Sequence, residues 1–405
     1  MRDAKVAILG MGYVGLPLAI AAQESGLDVI GIDRNEERVA HLLAGESYIE
    51  DVSSAELASA LKKGFSPSAD ASLISECEVI VICVPTPVDE NNQPVLSPIV
   101  DASEMIAKFA QSGALIINES TSFPGTVSSF IPTVISKIRP ELDFDFAVAP
   151  ERVDPGNQNW NYRNTPRLVS GVTERAKERA KSFYSAFCNA VVTVSTPEVA
   201  ELSKLLENTF RQVNIALVNQ LVPFAKEMNV DIFEVIEAAA TKPYGFMPFY
   251  PGIGVGGHCI PVDPMYLYWS ASQKNLDMSL IDSAQKINDA MPEYVQRRIE
   301  KFKLSAESSV LVVGLAYKPG VSDVRESPSL ELLKSLKAQF IEIDWWDERI
   351  KNWNGEFRSE LKKEYDLVVL THKVKDKEVL KAISEAKNVI DCTGQFRGLE
   401  NVEIF

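Results

Sequence analysis

Short runs rich in β-branched residues alternate with helix-like segments between Lys5 and Val194, and this alternation restricts the fold more than any other feature of the sequence. Parallel strands that are joined by helices produce this rhythm. We therefore predict a doubly wound α/β domain over residues 1–195. The predicted strands lie in "KVAILG", "DVIGID", "EVIVICVP", "ALIINES", "FDFAVAP" and "AVVTVS".

The same alternation returns after about residue 305 and predicts a second, smaller Rossmann-like domain over residues 301–405. Between the two α/β regions, Thr196 can cap a helix that has Pro197 at its first position. Apolar residues surround this helix for about thirty residues, so we expect it to be buried in a central helical domain over residues 196–300. The predicted strands of the second α/β domain lie in "SSVLVVGLAYK", "FIEIDWWD", "YDLVVLTH" and "NVIDC".

Composition excludes several classes of function. The formal net charge of −15 leaves no basic field for nucleic acid. No apolar run reaches the roughly 18 residues of a membrane span, and the N-terminus lacks the apolar stretch of a signal peptide, so we expect a cytoplasmic protein with no membrane partner. Five cysteines without CxxC spacing and three histidines indicate neither a disulfide framework nor a metal site.

A glycine-rich turn, "LGMGYVG", follows the first predicted strand and precedes a helix. Gly10, Gly12 and Gly15 can bring backbone N–H groups and a helix N-terminus against a pyrophosphate. The next strand ends in Asp33, at the distance where a carboxylate takes a ribose 2′-hydroxyl. Asp33 would repel a 2′-phosphate, so NAD is favoured over NADP. Arg34 either stacks on the adenine or partly offsets that repulsion.

Three loops follow apolar strands and should lie at the carboxyl edge of the first sheet, where doubly wound folds bind ligands. They are "CVPTP" at 83–87, "ESTSFPGT" at 119–126 and "APERVDPG" at 149–156. Glu151 and Arg152 should point into the same crevice. For each position taken alone, a solvated loop residue is the alternative.

The predicted central helix carries a polar stripe. Lys204, Asn208 and Arg211 fall at i, i+4 and i+7, and leucines flank them on both sides. Such a stripe is usually a solvated face. A buried cation without a partner is costly, however, so we expect this stripe to line a polar cavity.

The segment "PGIGVGGHCIPVDP" at 251–264 is poor material for a helix or a central strand. It places Cys259 between a glycine turn and a proline, where a thiolate nucleophile can be exposed. Asp263, four residues later, can act as its polar partner or proton acceptor. We expect the other cysteines to be buried and inert; they are Cys77, Cys83, Cys188 and Cys392.

From residue 3 to at least residue 330, the chain resembles the UDP-glucose/GDP-mannose dehydrogenase family. Its segment around the cysteine is most similar to UDP-N-acetylglucosamine 6-dehydrogenases of polysaccharide synthesis, with UDP-N-acetylmannosamine enzymes as near neighbours. The motifs that carry the resemblance are "GMGYVG", "VPTP", "ESTSFPGT", "PERVDPG", "ELSKLLENTFRQVNIAL", "GVGGHCIPVDP" and "GLAYKPGVSDVRESPS".

The resemblance implies a four-electron oxidation of the sugar C6 alcohol to a carboxylate by two NAD molecules in turn. Cys259 would trap the aldehyde as a thiohemiacetal, which the second oxidation converts to a thioester. Glu151 and Thr121 would place the hydrolytic water, Lys204 and Asn208 would stabilise the alkoxide and oxyanion, and Asp263 would assist proton transfer.

The resemblance also implies two sets of binding residues. The cofactor-binding residues are Gly10, Gly12, Tyr13, Val14, Gly15, Asp33, Arg34, Pro85, Thr86, Thr121 and Arg325. The residues that bind the UDP-sugar are Glu151, Arg152, Lys204, Asn208, Arg211, Tyr250, Gly256, His258 and Lys318.

Two local departures weigh against UDP-glucose as the substrate. Val262 stands where UDP-glucose enzymes carry a lysine, and His258 stands where they have a smaller or aromatic residue. More distant alternatives are a β-hydroxyacid dehydrogenase, which lacks the cysteine loop and second α/β domain, and a non-catalytic NAD-binding protein. Counting the NADH formed per sugar distinguishes them, since the expected values are two, one and none.

The apolar surface of the central helix exceeds what one α/β domain on either side can cover, so we predict a homodimer or higher homo-oligomer. Lys242 and the aromatic run "YGFMPFY" come just before the cysteine loop. Two arrangements stay open for them: they close the pocket of their own subunit, or they reach the diphosphate in a neighbour.

Overall fold

The computed structural model describes residues 4–154, 156–157, 159–339 and 342–405. Four residues named by the sequence predictions lie outside the described part: Asp3, Pro155, Phe340 and Ile341. The chain divides into two compact units, of which the first is Met1–Glu207 with Met265–Asn275 and the second is Asn208–Pro264 with Leu276–Phe405. The division into three domains at residues 195 and 300 stays a prediction.

The first unit is built on an eight-stranded sheet within the described residues. Its strands are β1 Lys5–Leu9, β2 Asp28–Ile32, β3 Ser66–Ser68, β4 Val79–Ile82, β5 Leu115–Asn118, β6 Asp145–Val148, β7 Arg167–Gly171 and β8 Val191–Thr193. The strand order is β3-β2-β1-β4-β5-β6-β7-β8. All pairs are parallel except β6 with β7, where Ala147 faces Gly171. The six predicted strands are confirmed, whereas β3 and β7 were not predicted.

Helices cover both faces of this sheet, because alternate residues of its strands enter different cores. Val6 and Ile8 belong to one apolar cluster, while Ala7 and Leu9 belong to another. A strand buried on both faces reads as a continuous apolar run. The helices are α1 Gly15–Glu24, α2 Glu36–Leu43, α3 Ser54–Lys62, α4 Ser97–Phe109, α5 Ile131–Ile138 and α6 Glu174–Tyr184, with a 3₁₀ turn at Ala71–Glu76 and a π-helical turn at Thr126–Phe130.

Two helices run from one unit into the other. They are α7, Pro197–Glu227, and α9, Asp263–Ser272. Helix α7 begins at Pro197, as the sequence predicts, and contains Pro223 in its interior.

Within its described residues, the second unit contains a five-stranded parallel sheet with the order β10-β9-β13-β14-β15, together with the two-stranded β11–β12 hairpin. The predicted strands are confirmed, while the hairpin and β15 were not predicted. Its strands are β9 Ser309–Val313, β10 Glu342–Trp346, β11 Asn352–Trp353, β12 Glu356–Phe357, β13 Leu367–Leu370, β14 Val389–Asp391 and β15 Val402–Ile404. Its helices are α8 Ile232–Ala240, α10 Ser279–Asp289, α11 Met291–Glu300, α12 Pro328–Lys337 and α13 Lys377–Glu385.

The turn after β1 in the first sheet and the turn after β9 in the second have the same backbone hydrogen bond. The N–H of Gly10 donates to Ile32 O at 2.7 Å, and the N–H of Gly314 donates to Trp346 O at 2.8 Å. Both glycines have positive φ, +97° and +102°. Each second strand is followed by an aspartate, Asp33 or Asp347. The Asp347 carboxylate accepts four backbone N–H groups, from Leu315, Ala316, Arg349 and Ile350.

The prediction that helix α7 is buried is wrong for the single chain. Leu205 is buried, but Leu206, Phe210 and Leu217 are 62%, 46% and 54% exposed. Apolar periodicity reports which residues avoid water and not which neighbour covers them, and within one chain only part of the helix surface is packed. Among the described residues, no helix combines the length and apolar character that a membrane crossing requires.

Candidate active site

The glycine turn after β1 has room for a phosphate. A Cβ on Gly10 would lie 2.4 Å from Cys83 O, so this tight turn accepts only glycine. A Cβ on Gly12, by contrast, would meet nothing within 4 Å, which leaves open space at the turn for the approach of a ligand. Helix α1 begins at Gly15, so its N-terminal dipole favours an anion at this place. These features fit the pyrophosphate of NAD.

Asp33 is buried beside this turn. Its Oδ2 accepts from Met11 N and from Arg38 Nη1, both at 2.9 Å, and its Oδ1 accepts from Asn35 N at 2.9 Å. A carboxylate has roughly four lone-pair sites, so one remains for a ribose hydroxyl. Arg34 instead extends into solvent, 3.4 Å from Asp101.

Arg38 was missed by the sequence analysis. It lies five residues after Asp33, in the first turns of helix α2, and a basic residue at that spacing is the only local signal. Its position beside Asp33 makes it the cation that a 2′-phosphate would meet.

The loops after β4 and β5 carry the other predicted cofactor residues of the first sheet. Thr86 and Thr121 are buried, whereas Pro85 is exposed. The hydroxyl of Ser120 donates to Val84 O at 2.9 Å and so joins the two loops. Tyr13, in the glycine turn, is partly buried.

Helix α7 holds the loop after β5 through Glu201. Its carboxylate accepts from Gly125 N at 2.8 Å, Val127 N at 3.0 Å and Ser122 Oγ at 3.4 Å. Burial raises the pKa of Glu201 to about 8, and the two backbone N–H groups oppose this shift. Glu201 therefore ties the loop that contains Thr121 to the helix that carries Lys204.

The first unit brings Lys204 and Glu151 together. Lys204 Nζ donates to Glu151 O at 2.7 Å and lies 3.8 Å from Glu151 Oε2, and both side chains are buried. The N–H of Val153 also donates to the Glu151 carboxylate. This arrangement holds a carboxylate next to a lysine ammonium.

Arg152 forms its contacts with other residues of the first unit. It forms a two-pronged ion pair with Glu207, at 2.7 and 3.1 Å, and donates to Pro166 O at 2.9 Å. Since its donors serve contacts within the unit, the structure does not place Arg152 beside Glu151 and Lys204.

The second unit brings Asn208 and Asp263 together. Asn208 Nδ2 donates to Asp263 Oδ2 at 2.6 Å, and Asp263 is fully buried. The predicted third member of the stripe, Arg211, is exposed. The Asn208 amide is therefore oriented by a carboxylate.

The cysteine loop is fixed at both ends. Asp263 N donates to Cys259 O at 2.8 Å, and Gly257 N donates to Arg325 O at 2.9 Å. Gly257 has a φ of +83°, and a Cβ there would lie 2.8 Å from the Tyr317 ring. Cys259 is thus held just before helix α9, a position that favours a thiolate.

Cys259 differs from the other cysteines, as predicted. It is partly exposed, whereas the remaining four are buried and free. Burial raises the pKa of their thiols, to about 11 for Cys77 and Cys188 and well above the usual value for Cys83 and Cys392.

The remaining predicted substrate residues, and the predicted cofactor-binding residue Arg325, lie in the second unit. Lys318 Nζ lies 5.7 Å from the centre of the Tyr317 ring, and His258 is partly exposed beside Cys259. Tyr250 is half exposed and stacks on Phe233. Arg325 pairs with Asp323 through two nitrogens. Gly256 is buried, and a Cβ on it would clash with Glu326 O at 2.6 Å.

Three family models cover most of the chain. They describe the UDP-glucose/GDP-mannose dehydrogenase family: its NAD-binding domain matches residues 4–188, its central domain residues 198–290 and its UDP-binding domain residues 311–397.

Known proteins agree with these matches. UDP-N-acetyl-D-glucosamine 6-dehydrogenase of Pseudomonas aeruginosa is 36% identical over 86% of this chain and 83% of that protein. UDP-N-acetyl-D-mannosamine dehydrogenase of Pyrococcus horikoshii is 35% identical over 86% of this chain and 84% of that protein. A solved structure of the UDP-D-ManNAc dehydrogenase from Pyrococcus horikoshii has a TM-score of 0.88 at 31% identity, over 99% of this chain and 98% of that one. The chain therefore belongs to the UDP-glucose/GDP-mannose dehydrogenase family and is an NAD-dependent nucleotide-sugar dehydrogenase.

Proposed function

We propose that the chain oxidises C6 of a UDP-N-acetylhexosamine, with UDP-N-acetylglucosamine as the best candidate, to the corresponding uronate for polysaccharide precursor synthesis. The observation that supports this proposal most directly is that Cys259 is partly exposed on a fixed loop. A single two-electron oxidation needs no thiol, whereas a four-electron oxidation gains from one that retains the aldehyde.

NAD, when bound at the glycine turn, accepts a hydride in each of the two oxidation steps. In the first, the C6 alcohol loses a hydride and a proton and becomes an aldehyde. Lys204 supplies a positive charge and Asn208 a hydrogen-bond donor for the oxygen that becomes negative. Asp263 orients the Asn208 amide, since its Oδ2 accepts from Asn208 Nδ2 at 2.6 Å.

The Cys259 thiolate then adds to the aldehyde carbon, and the oxygen takes a proton to give a thiohemiacetal. Loss of a second hydride and of the hydroxyl proton from this adduct gives a thioester. Water attacks the thioester carbon with Glu151 as the base, the carbon–sulfur bond breaks, and the thiolate and a carboxylate are released. The whole sequence consumes one water and reduces two NAD.

The N-acetylhexosamine is inferred from two kinds of support. The named relatives act on UDP-N-acetylglucosamine and UDP-N-acetylmannosamine, at nearly equal identity of 36% and 35%. Val262 is buried where the resemblance places a lysine in UDP-glucose enzymes. The choice between the two epimers depends on pocket residues such as His258 and Tyr250.

We also propose that the active enzyme is at least a dimer that forms through helix α7. The exposed apolar residues of the helix are separated by three, four or seven positions, so they lie on one side of it. They are Val199, Leu202, Leu206, Phe210, Leu217, Leu221 and Phe224.

The substrate is tested by rates of NAD reduction with purified UDP-N-acetylglucosamine, UDP-N-acetylmannosamine, UDP-N-acetylgalactosamine and UDP-glucose. We expect the highest kcat/KM with UDP-N-acetylglucosamine and two NADH per sugar consumed. A clear preference for UDP-glucose, or one NADH per sugar, would contradict the proposal.

A further inference from the structure

A buried ionic network lies in the first unit beneath the Pro150–Glu151 segment. Glu119 and Arg167 are 0% and 2% exposed, and Arg167 Nη1 lies 3.3 Å from Glu119 Oε2. The hydroxyls of Tyr162 and Tyr184 both donate to Glu119 Oε1 at 2.6 Å. A buried ion pair contributes little net stability, because desolvation of the charges offsets their attraction. Stability alone is therefore a weak reason for this network.

The network is bonded directly to the backbone of the predicted base. Arg167 Nη1 donates to Pro150 O at 3.2 Å, and Glu151 N donates to Glu119 O at 3.4 Å. On the next carbonyl, Lys204 Nζ donates to Glu151 O at 2.7 Å. Two successive carbonyls, of Pro150 and Glu151, are thus each held by a different buried cation.

The tyrosines keep the charged pair in place. The guanidinium carbon of Arg167 lies 4.2 Å from the centre of the Tyr162 ring and 5.6 Å from that of Tyr184. Burial raises the pKa of both phenols well above the usual value, so each hydroxyl keeps the proton that it donates to Glu119. Each tyrosine therefore fixes the carboxylate through its hydroxyl and the guanidinium through its ring.

From this geometry we infer that Arg167, anchored by Glu119, Tyr162 and Tyr184, is a positioning residue for Glu151. The inference rests on the proposed function, in which Glu151 takes a proton from the water that cleaves the Cys259 thioester. A shift of the Pro150 carbonyl moves Glu151 and slows hydrolysis, while both hydride transfers precede that step. Loss of positioning should therefore let the thioester accumulate.

The test compares Arg167→Lys and Tyr184→Phe with the wild type. Lysine keeps the charge but lacks the planar fork, and phenylalanine removes one donor to Glu119 without removing the ring. The matched control is Arg298→Lys in the second unit, because Arg298 is also 2% exposed and bonded to a carboxylate and a carbonyl, those of Glu403 and Ile404. Glu151→Gln serves as the reference for lost hydrolysis.

The measurements are stopped-flow NADH formation, intact-protein mass after substrate is mixed with NAD, and steady-state kcat and KM. For both network variants we expect a rapid burst of two NADH per subunit, a mass increase of one UDP-uronyl group on Cys259, and a roughly tenfold fall in kcat with little change in KM for NAD. Arg298→Lys should show none of these changes.

The outcomes separate the inference from the function on which it rests. If Glu151→Gln accumulates the thioester while Arg167→Lys and Tyr184→Phe behave like Arg298→Lys, the positioning role is wrong and the proposed chemistry stands. If the network variants have a lower melting temperature but form no adduct, the positioning role is also wrong and the proposed chemistry stands. If Glu151→Gln itself forms no adduct, Glu151 is not the hydrolytic base, and the positioning role is rejected with it.

Discussion

The amide of Asn208 donates to the buried carboxyl group of Asp263 across 2.6 Å, so the orientation of one predicted catalytic group depends on the other. Asp263 Oδ2 accepts this hydrogen bond, so the Asn208 amide is held with its Nδ2 turned towards Asp263. The resemblance implies oxyanion stabilisation by Asn208 and proton transfer by Asp263. These two predicted roles are therefore coupled through one hydrogen bond.

Asn208→Asp should reduce kcat by about 10²-fold, because it removes a donor and places two carboxyl groups in contact, one of which must then be protonated. Asn214→Asp is the matched control, since Asn214 lies on the same helix and donates to Phe210 O in its own helix. Steady-state kinetics at several pH values check this prediction. Near wild-type kcat in Asn208→Asp would refute the role of the amide.

Cys259→Ser should abolish net formation of the uronate. A serine alkoxide is harder to form than a thiolate, and the resulting ester is harder to hydrolyse than a thioester. The check is NADH formed per sugar, together with chromatography of the sugar product. Cys77→Ser is the control, because the Cys77 thiol is buried and bonded to Leu73 O at 3.5 Å. Two NADH per sugar at near wild-type rate in Cys259→Ser would exclude the covalent mechanism.

Asp33→Ser should reduce the preference for NAD over NADP at least tenfold, equivalent to about 1.4 kcal/mol. The substitution removes the charge that repels a 2′-phosphate and leaves Arg38, which donates to Asp33 Oδ2 at 2.9 Å in the wild type, able to bind one. The measurement is kcat/KM for both cofactors. Asp101→Ser, which frees Arg34 instead, should leave the preference unchanged; if it alone changes the preference, Arg34 is the contact.

Glu201 should make the stability of the protein fall as the pH rises from about 4.5 to about 8. Its carboxyl has a usual pKa of 4.5, and burial raises it to about 8 in the folded protein. Between these values the native state binds a proton that the unfolded state has released, so the stabilisation is full below the unfolded pKa and is lost towards the folded one.

Glu201→Gln should remove this slope in urea unfolding curves recorded between pH 5 and 8. Glu198→Gln is the control on the same helix, because the hydroxyl of Ser128 holds the pKa of Glu198 below its usual value. Its contribution is therefore lost towards acidic pH. An identical slope in the wild type and in Glu201→Gln would show that this carboxyl does not titrate in that range.

Leu206→Glu should convert the enzyme to a monomer in light scattering at micromolar concentration. Leu206 is 62% exposed within one chain, so the new charge is harmless there and costly only at an interface. Leu43→Glu is the control with similar exposure, 59%, on helix α2. A wild-type protein that is monomeric and fully active would overturn the proposed dimer.

The sequence predicts the central strands well because they are buried on both faces and read as continuous apolar runs, as in Val79–Ile82. It misses β3, since Ser-Pro-Ser has neither apolar nor β-branched residues. It also misses β7, which begins with a buried arginine. Arg167 is compatible with that position because Glu119 pairs with it from 48 residues earlier, and such pairing leaves no local pattern.

In the candidate site, too, features with a local sequence pattern are predicted and contacts between distant residues are not. The glycine turn, the cysteine loop and the polar residues of helix α7 have local signatures, and the sequence identifies them. The sequence does not predict the contacts of Glu201 with the loop after β5, because these residues are far apart in the chain. It also does not predict the hydrogen bond from Arg38 to Asp33, because their spacing follows no periodic pattern. The exposed side of helix α7 shows a second limit of the sequence. Its apolar pattern predicts that these residues avoid water, but it does not predict which surface covers them.

The turn after β9 has the same backbone shape as the glycine turn after β1. The two turns differ in the number of hydrogen bonds that their aspartates accept. Asp347 accepts four backbone N–H groups, from Leu315, Ala316, Arg349 and Ile350, and this saturates the roughly four lone-pair sites of a carboxylate. Among the described residues, Asp33 accepts three hydrogen bonds, which leaves it one further lone-pair site. Asp347 is consequently committed to its own loop, whereas Asp33 retains the capacity that the predicted ribose contact requires.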